Sequence, residues 1–215
     1  MKRKSLFITA AVALLAAFVV GALVYQGDKA DAAKALERQA LLVRDYAPTK
    51  GSAEAKVHIV EFLDPACGTC RDFYPLVKKL VDQHRGRIKV TVRYAPFHPN
   101  SDYVVKVMEA ARKQNKYWET LEVLFASQQG WSPNHRPNPA LLWNYLDGLG
   151  LDLERVRQDA LAPDIAKNLD QDIADGRALN VAATPEFFVN GKPLPSFGYE
   201  QLVTLVNDAL AAAYP

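Results

Sequence analysis

Residues 57–70 read Val57-His58-Ile59-Val60-Glu61-Phe62-Leu63-Asp64-Pro65-Ala66-Cys67-Gly68-Thr69-Cys70, and this stretch decides the fold. Its first seven residues are mostly apolar and enriched in β-branched types, the pattern of a strand buried on both faces. Asp64-Pro65 ends the run. After the cysteines, Phe73, Leu76, Val77, Leu80 and Val81 recur at helical spacing and define one apolar face. Pro75 lies inside that helix, where it removes an internal hydrogen bond and should kink it. Gly86 ends the helix, and Ile88 to Tyr94 alternates like a second strand. A helix crossing between the two strands makes them parallel.

Downstream, residues 101–180 change character. Val104, Val107, Met108 and Ala111, then Trp118, Leu121, Leu124 and Phe125, repeat at three and four. Asn138-Pro139 reads as a cap and first turn ahead of Leu141, Leu142, Tyr145, Leu146 and Leu149. Ile165, Leu169 and Ile173 mark a further helix. The strand signal then returns in Glu186-Phe187-Phe188-Val189, followed by the turn Asn190-Gly191 and a partner strand from Lys192 to Phe197. A last helix runs from about Tyr199 to Ala212. The order βαβ, helices, ββα predicts an α/β fold with a central mixed sheet and an inserted all-helical subdomain.

Upstream, Leu6 to Tyr25 contains no charged residue. Twenty residues in a helix span roughly 30 Å, the thickness of a bilayer's hydrocarbon core. Lys2, Arg3 and Lys4 precede the run and should stay in the cytoplasm, which places the rest of the chain on the far side. A cleaved signal peptide is the rival reading, with Ala30-Asp31-Ala32 as the small-x-small site. Both export the body. The expected organisation is residues 1–26 as signal-anchor, 27–50 as a partly helical linker, and 51–215 as the body, with its insertion at about 100–180. Pro48 to Ala55 reads as a polar loop. Beyond the three basic residues at the start, 23 basic groups stand against 24 acidic ones. A nearly neutral body gives no electrostatic reason to expect nucleic acid.

The only two cysteines are Cys67 and Cys70. Their bond would close a tiny loop and restrict the unfolded chain very little, so scaffolding explains them poorly. Zinc needs two more ligands, and His58, His84, His98 and His135 are scattered without close pairing, so no metal is expected. At the first turn of a helix, unpaired N–H groups and the helix dipole favour negative charge. That position lowers the Cys67 pKa and makes it a nucleophile, with Cys70 one turn on to resolve a mixed disulfide. Glu61 is either an acid reaching a sheet edge or a buried carboxyl able to exchange a proton with Cys70. Thr184-Pro185 precedes a strand. Pro185 is either an ordinary trans-proline or a cis-proline whose loop sits against the cysteines, leaving the Thr184 backbone to pair with a substrate peptide. Tyr117, Trp118, Trp131 and Trp143 are read as core, and His98 as a structural loop residue.

These motifs resemble the DsbA-like branch of the thioredoxin superfamily, the disulfide oxidoreductases of bacterial cell envelopes. The resemblance covers roughly Arg44 to Pro215. It rests on Val60-Glu61-Phe62, Cys67-Gly68-Thr69-Cys70, Pro75, Tyr117-Trp118 and Thr184-Pro185-Glu186-Phe187-Phe188-Val189-Asn190-Gly191. It implies a thioredoxin fold with a helical insertion, Cys67 attacking, Cys70 resolving, Glu61 as buried acid and Pro185 in cis, with no cofactor. The dipeptide Gly68-Thr69 departs from the Pro-His of the strongly oxidising members, which implies a milder oxidant. The expected protein is a monomer at the bacterial inner membrane, held by residues 6–25 with its body in the periplasm, or soluble there after cleavage. Its expected partners are cysteine-containing exported proteins and a membrane redox protein. The oxidase direction is favoured. An envelope reductase or isomerase, a non-catalytic binding module on the same fold, and soft-metal delivery by the dithiol are the alternatives.

Overall fold

The computed structural model describes residues 25, 26, 29 and 34–215 of the chain. Two units divide it, Met1–Ala40 and Leu41–Pro215. In the first, the described residues are helical. The apolar run read as a membrane segment lies outside the described residues except for Tyr25. Among the described residues no helix is long and apolar enough to cross a membrane.

The second unit is built on a five-stranded sheet whose strands lie in the order β1 (Thr49–Gly51), β3 (Ile88–Tyr94), β2 (Val57–Leu63), β4 (Glu186–Val189), β5 (Lys192–Pro193). Its centre is β2 (Val57–Leu63), flanked by β3 (Ile88–Tyr94) in parallel and β4 (Glu186–Val189) in antiparallel register. All but one residue of β2 and of β3 are buried, which is why both read as near-continuous apolar runs. Helix α1 (Gly68–Gln83) makes the crossover between them and carries Pro75 inside. The turn after β4 places Asn190 and Gly191 at φ 47° and 80°, the left-handed pair that a two-residue hairpin needs.

Two expectations are corrected at the sheet edges. The second hairpin strand, β5, spans only Lys192–Pro193 rather than continuing to Phe197. Pro193 and Pro195 have no N–H to donate, so the ladder cannot extend. The expected loop Pro48 to Ala55 contains a short edge strand, β1 (Thr49–Gly51), antiparallel to β3. At Gly51 (φ 113°) a side chain would meet Ile88 O at 2.6 Å, so the close approach of β3 requires glycine.

Between β3 and β4 the chain forms α2 (Ser101–Arg112), α3 (Tyr117–Ala126), α4 (Gln128–Trp131), a 3-10 turn at Pro133–His135, α5 (Pro139–Leu142), a second such turn at Trp143–Tyr145, α6 (Leu153–Asp159) and α7 (Pro163–Ala178). Asn138 caps α5 by accepting the Ala140 N–H at 3.0 Å, with Pro139 in the first turn. Met108, Leu121, Leu124 and Trp131 pack in one continuous core with Leu63 and Cys70, so the insertion encloses the cysteine region. Tyr117 and Trp131 are buried, whereas Trp118 and Trp143 are half-buried at its border. The last helix, α8 (Tyr199–Ala213), packs with α1 against the other part of the sheet through Phe73, Val77, Leu202 and Val206.

Candidate active site

One carboxylate organises the turn between β2 and α1. Asp64 is fully buried and accepts hydrogen bonds from the N–H groups of Ala66 (2.8 Å), Phe97 (2.8 Å) and His98 (2.9 Å), from His98 Nδ1 (2.7 Å) and from Ser101 Oγ. The Cys67 N–H in turn donates to the Asp64 carbonyl at 3.0 Å. Cys67 is thereby held extended (φ −75°, ψ 121°) as the residue that caps α1. The N–H groups of the first helical turn have no partner inside the helix and face this end.

The two thiols differ in environment. Cys67 keeps 7% of its surface exposed and Cys70 none. The Cys67 pKa is lowered to about 5: a hydrogen bond from the Cys70 side chain is the main cause, burial opposes it, and the Cys70 and Thr69 backbone N–H groups add to it. Burial pushes Cys70 the other way, well above an ordinary thiol, reinforced by its bond to Cys67 and by the charge of Glu61. The lowered pKa favours the ionised form of Cys67 at neutral pH, and a small part of its surface stays exposed, whereas Cys70 favours its protonated form and is enclosed.

Glu61 lies in the middle of β2 opposite Phe187 of β4 and is 2% exposed, so it does not reach a sheet edge. Its pKa is raised to about 8, first by burial and then by the nearby Cys67 charge. Among the described residues its Oε1 has no hydrogen-bond partner. It lines a cavity of about 10 Å³ together with Lys50, Tyr74, Lys78 and Trp118. From the far side of the turn, the Thr184 carbonyl lies 3.2 Å from Cys67 Sγ and can accept a hydrogen bond from its protonated form, and the Thr184–Pro185 bond is cis. Thr184 is half-buried and Pro185 buried. Gly68 is buried and Thr69 exposed.

The structure thus brings Cys67, Cys70, Glu61, Gly68, Thr69, Thr184 and Pro185 to one place. It adds residues that sequence reasoning missed. In the sequence Asp64 marks only the end of a strand. Gln128 donates through Nε2 to the carbonyls of Pro65 (2.9 Å) and Cys67 (3.0 Å) and accepts from Arg71 Nη1 (3.1 Å). His135 bonds the Ala66 carbonyl through Nδ1 at 3.0 Å and stacks on His98, with ring centres 5.2 Å apart. No periodic signal could have found Gln128 or His135, because each acts across more than sixty residues of sequence. Among the described residues no cluster of metal-binding side chains is present.

A family model described as Thioredoxin matches residues 44–208. A thioredoxin-like oxidoreductase from Silicibacter pomeroyi DSS-3 superposes with a TM-score of 0.69 at 30% identity, covering 80% of this chain and 96% of that one. Oxidised BdbD from Bacillus subtilis shares the fold, with a TM-score of 0.66 at 24% identity over 77% of this chain and 94% of that one. Among curated proteins, the Na(+)/H(+) antiporter NhaA 3 of Salinispora tropica is 31% identical over 174 residues, which is 79% of this chain and 25% of the antiporter. The chain spans about a quarter of the length of the curated relatives it matches.

Proposed function

Because the chain belongs to the thioredoxin family, we propose that it is a DsbA-like thiol–disulfide oxidoreductase in which Cys67 exchanges disulfides with cysteines of exported proteins. The observation that carries this reading is the asymmetry of the pair, with Cys67 partly exposed at the start of α1 and Cys70 fully enclosed within its first turn. In the oxidising direction a substrate thiolate attacks Sγ of Cys67 in the Cys67–Cys70 disulfide. The S–S bond breaks, and Cys70 leaves with the electron pair. Glu61, protonated at neutral pH, supplies the proton that the enclosed Cys70 sulfur requires. A second substrate thiolate attacks the substrate sulfur of the mixed disulfide and expels Cys67. A thiol of pKa about 5 is a good leaving group. The substrate gains a disulfide, the pair gains two electrons, and a membrane redox partner restores it. The low Cys67 pKa favours this direction, since it stabilises the reduced form. Thr184, whose carbonyl faces Cys67 beside the cis-Pro185, supports extended pairing of the substrate backbone at this edge.

The uncharged run Leu6 to Tyr25 behind Lys2, Arg3 and Lys4 supports an exported body on the periplasmic side of a bacterial inner membrane. The organisation that goes with it is 1–26 as anchor, a linker up to Ala40 and a catalytic body from Leu41 onward, acting as a monomer. The likeness to sodium/proton antiporters covers a quarter of their length and supports no transport activity.

The test is trapping. Cys70→Ser mixed with a cysteine-containing peptide disulfide should accumulate a protein–peptide mixed disulfide, and Cys67→Ser should form none. Equal trapping by both variants, or by neither, contradicts the assignment.

A further inference from the structure

Three consecutive carbonyls lead into the helix that carries the cysteines, and side chains of one distant segment bond all three. Gln128 Nε2 donates to Pro65 O and Cys67 O, and His135 Nδ1 donates to Ala66 O between them. Since a carbonyl only accepts, Nδ1 carries the proton. Gln128 is 2% exposed, and a buried amide left unpaired is unfavourable, so its side chain is costly as mere filling. Every polar group of that amide is spent at the same place: the two N–H groups on the turn, and the oxygen on Arg71, the residue after Cys70. The His135 ring also explains Gly68, because a side chain there would have its first carbon 3.0 Å from His135 Cε1. The ring rests on His98, itself fixed by Asp64. Asn134 and His135 are both left-handed (φ 52° and 58°), an uncommon conformation for side-chain-bearing residues that aims this ring at the turn.

We propose that Gln128 and His135 are positioning residues: from the helical insertion they clamp the carbonyls of residues 65–67 and thereby set the reduction potential of the Cys67–Cys70 pair. This rests on the reading of Cys67 as the attacking thiol. The physical link is preorganisation. Donors from the first turn of α1 stabilise the Cys67 thiolate only while the cap backbone keeps the sulfur over them, and a loosened turn loses that alignment. Because the thiolate exists only in the reduced state, weakening it favours the disulfide.

The experiment compares the full chain with Gln128→Met, which keeps the volume but removes the amide, and with His135→Ala at an exposed site. Two quantities are read: the titration midpoint of the Cys67 thiolate by its absorbance near 240 nm, and the equilibrium constant with glutathione. Each variant should raise the midpoint by about one pH unit and shift the equilibrium about ten-fold toward the oxidised protein, a potential lower by about 30 mV. Folded variants with the wild-type midpoint and constant would overturn the proposal. If Gln128→Met does not fold, Arg71→Met at a half-exposed site removes the donor that fixes the amide and should shift both quantities in the same direction; no shift there overturns it equally. A wild type that titrates near pH 9 would defeat the reading of Cys67 itself, whereas a wild type near pH 5 with unmoved variants defeats only the clamp.

Discussion

The fold shifts the proton affinities of Cys67 and Glu61 in opposite senses, and this leaves a signature in stability. The folded state holds Cys67 at about 5 against an ordinary value of 9.0, so the reduced protein binds fewer protons there than its unfolded chain between those limits. That term adds stability as pH rises from about 5 to 9 and is lost as pH falls back through 5. Glu61 is raised to about 8 from 4.5, so its term is fully present below about 4.5 and is lost as pH climbs through 8. Denaturant melts of the reduced protein across pH should separate the two. Relative to wild type, Cys67→Ser should lose stability progressively above pH 5, and Glu61→Gln should gain it progressively above pH 4.5. Differences that stay flat with pH would contradict both assignments. In stopped-flow exchange with a peptide disulfide, Glu61→Gln should slow the Cys70 step by about 10²-fold at neutral pH, the ordinary worth of a positioned proton donor. Unchanged kinetics would remove Glu61 from the mechanism.

At the scale of elements, Asp64 joins the start of α1 to the loop between β3 and α2 through five donors. Replacing Asp64 with Ala strands those buried donors and should lower unfolding stability by about 3 kcal/mol, read as a fall in the urea midpoint. A midpoint shifted by a few tenths of a molar or less would mean that the donors find other partners. The same scale shows what a sequence can disclose. β2, α1, β3, β4 and α8 are legible because each buries a face that imposes its own period on the residues: Phe73, Val77 and Leu80 along α1, for example. β1 is not, since Thr49, Lys50 and Gly51 are polar or small and become a strand only through pairing with β3. The shortening of β5 was written in Pro193 and Pro195, where the hairpin signal of Asn190-Gly191 outweighed the missing donors. Within the site, Cys67, Cys70, Glu61 and Pro185 lie next to strands and a helix whose patterns announce them. Gln128 and His135 sit in a four-residue helix and a 3-10 turn too short for any period.

The whole body is tied together behind the site by a buried charge network. Arg93, fully buried on β3, pairs with Asp172 and Asp175 of α7 and donates to the carbonyls of Leu41 and Leu42, while Arg44 and Tyr46 bond the same two acids. Arg93→Met leaves Asp172 enclosed without a cation and Asp175 with Arg44 alone, and should cost about 3–5 kcal/mol of unfolding free energy. The Cys67 titration should stay in place, because the network touches neither cysteine. If that titration moves with the stability, framework and reactive pair are not separable. All of the proposed chemistry depends on one thiol being ionised in the folded, reduced protein. Its alkylation by iodoacetamide, followed from pH 3 to 10 with Cys67→Ser as the blank, tests this most directly. The account predicts a rate that rises with a midpoint near pH 5. A midpoint near 8.5, that of a free cysteine, would contradict it.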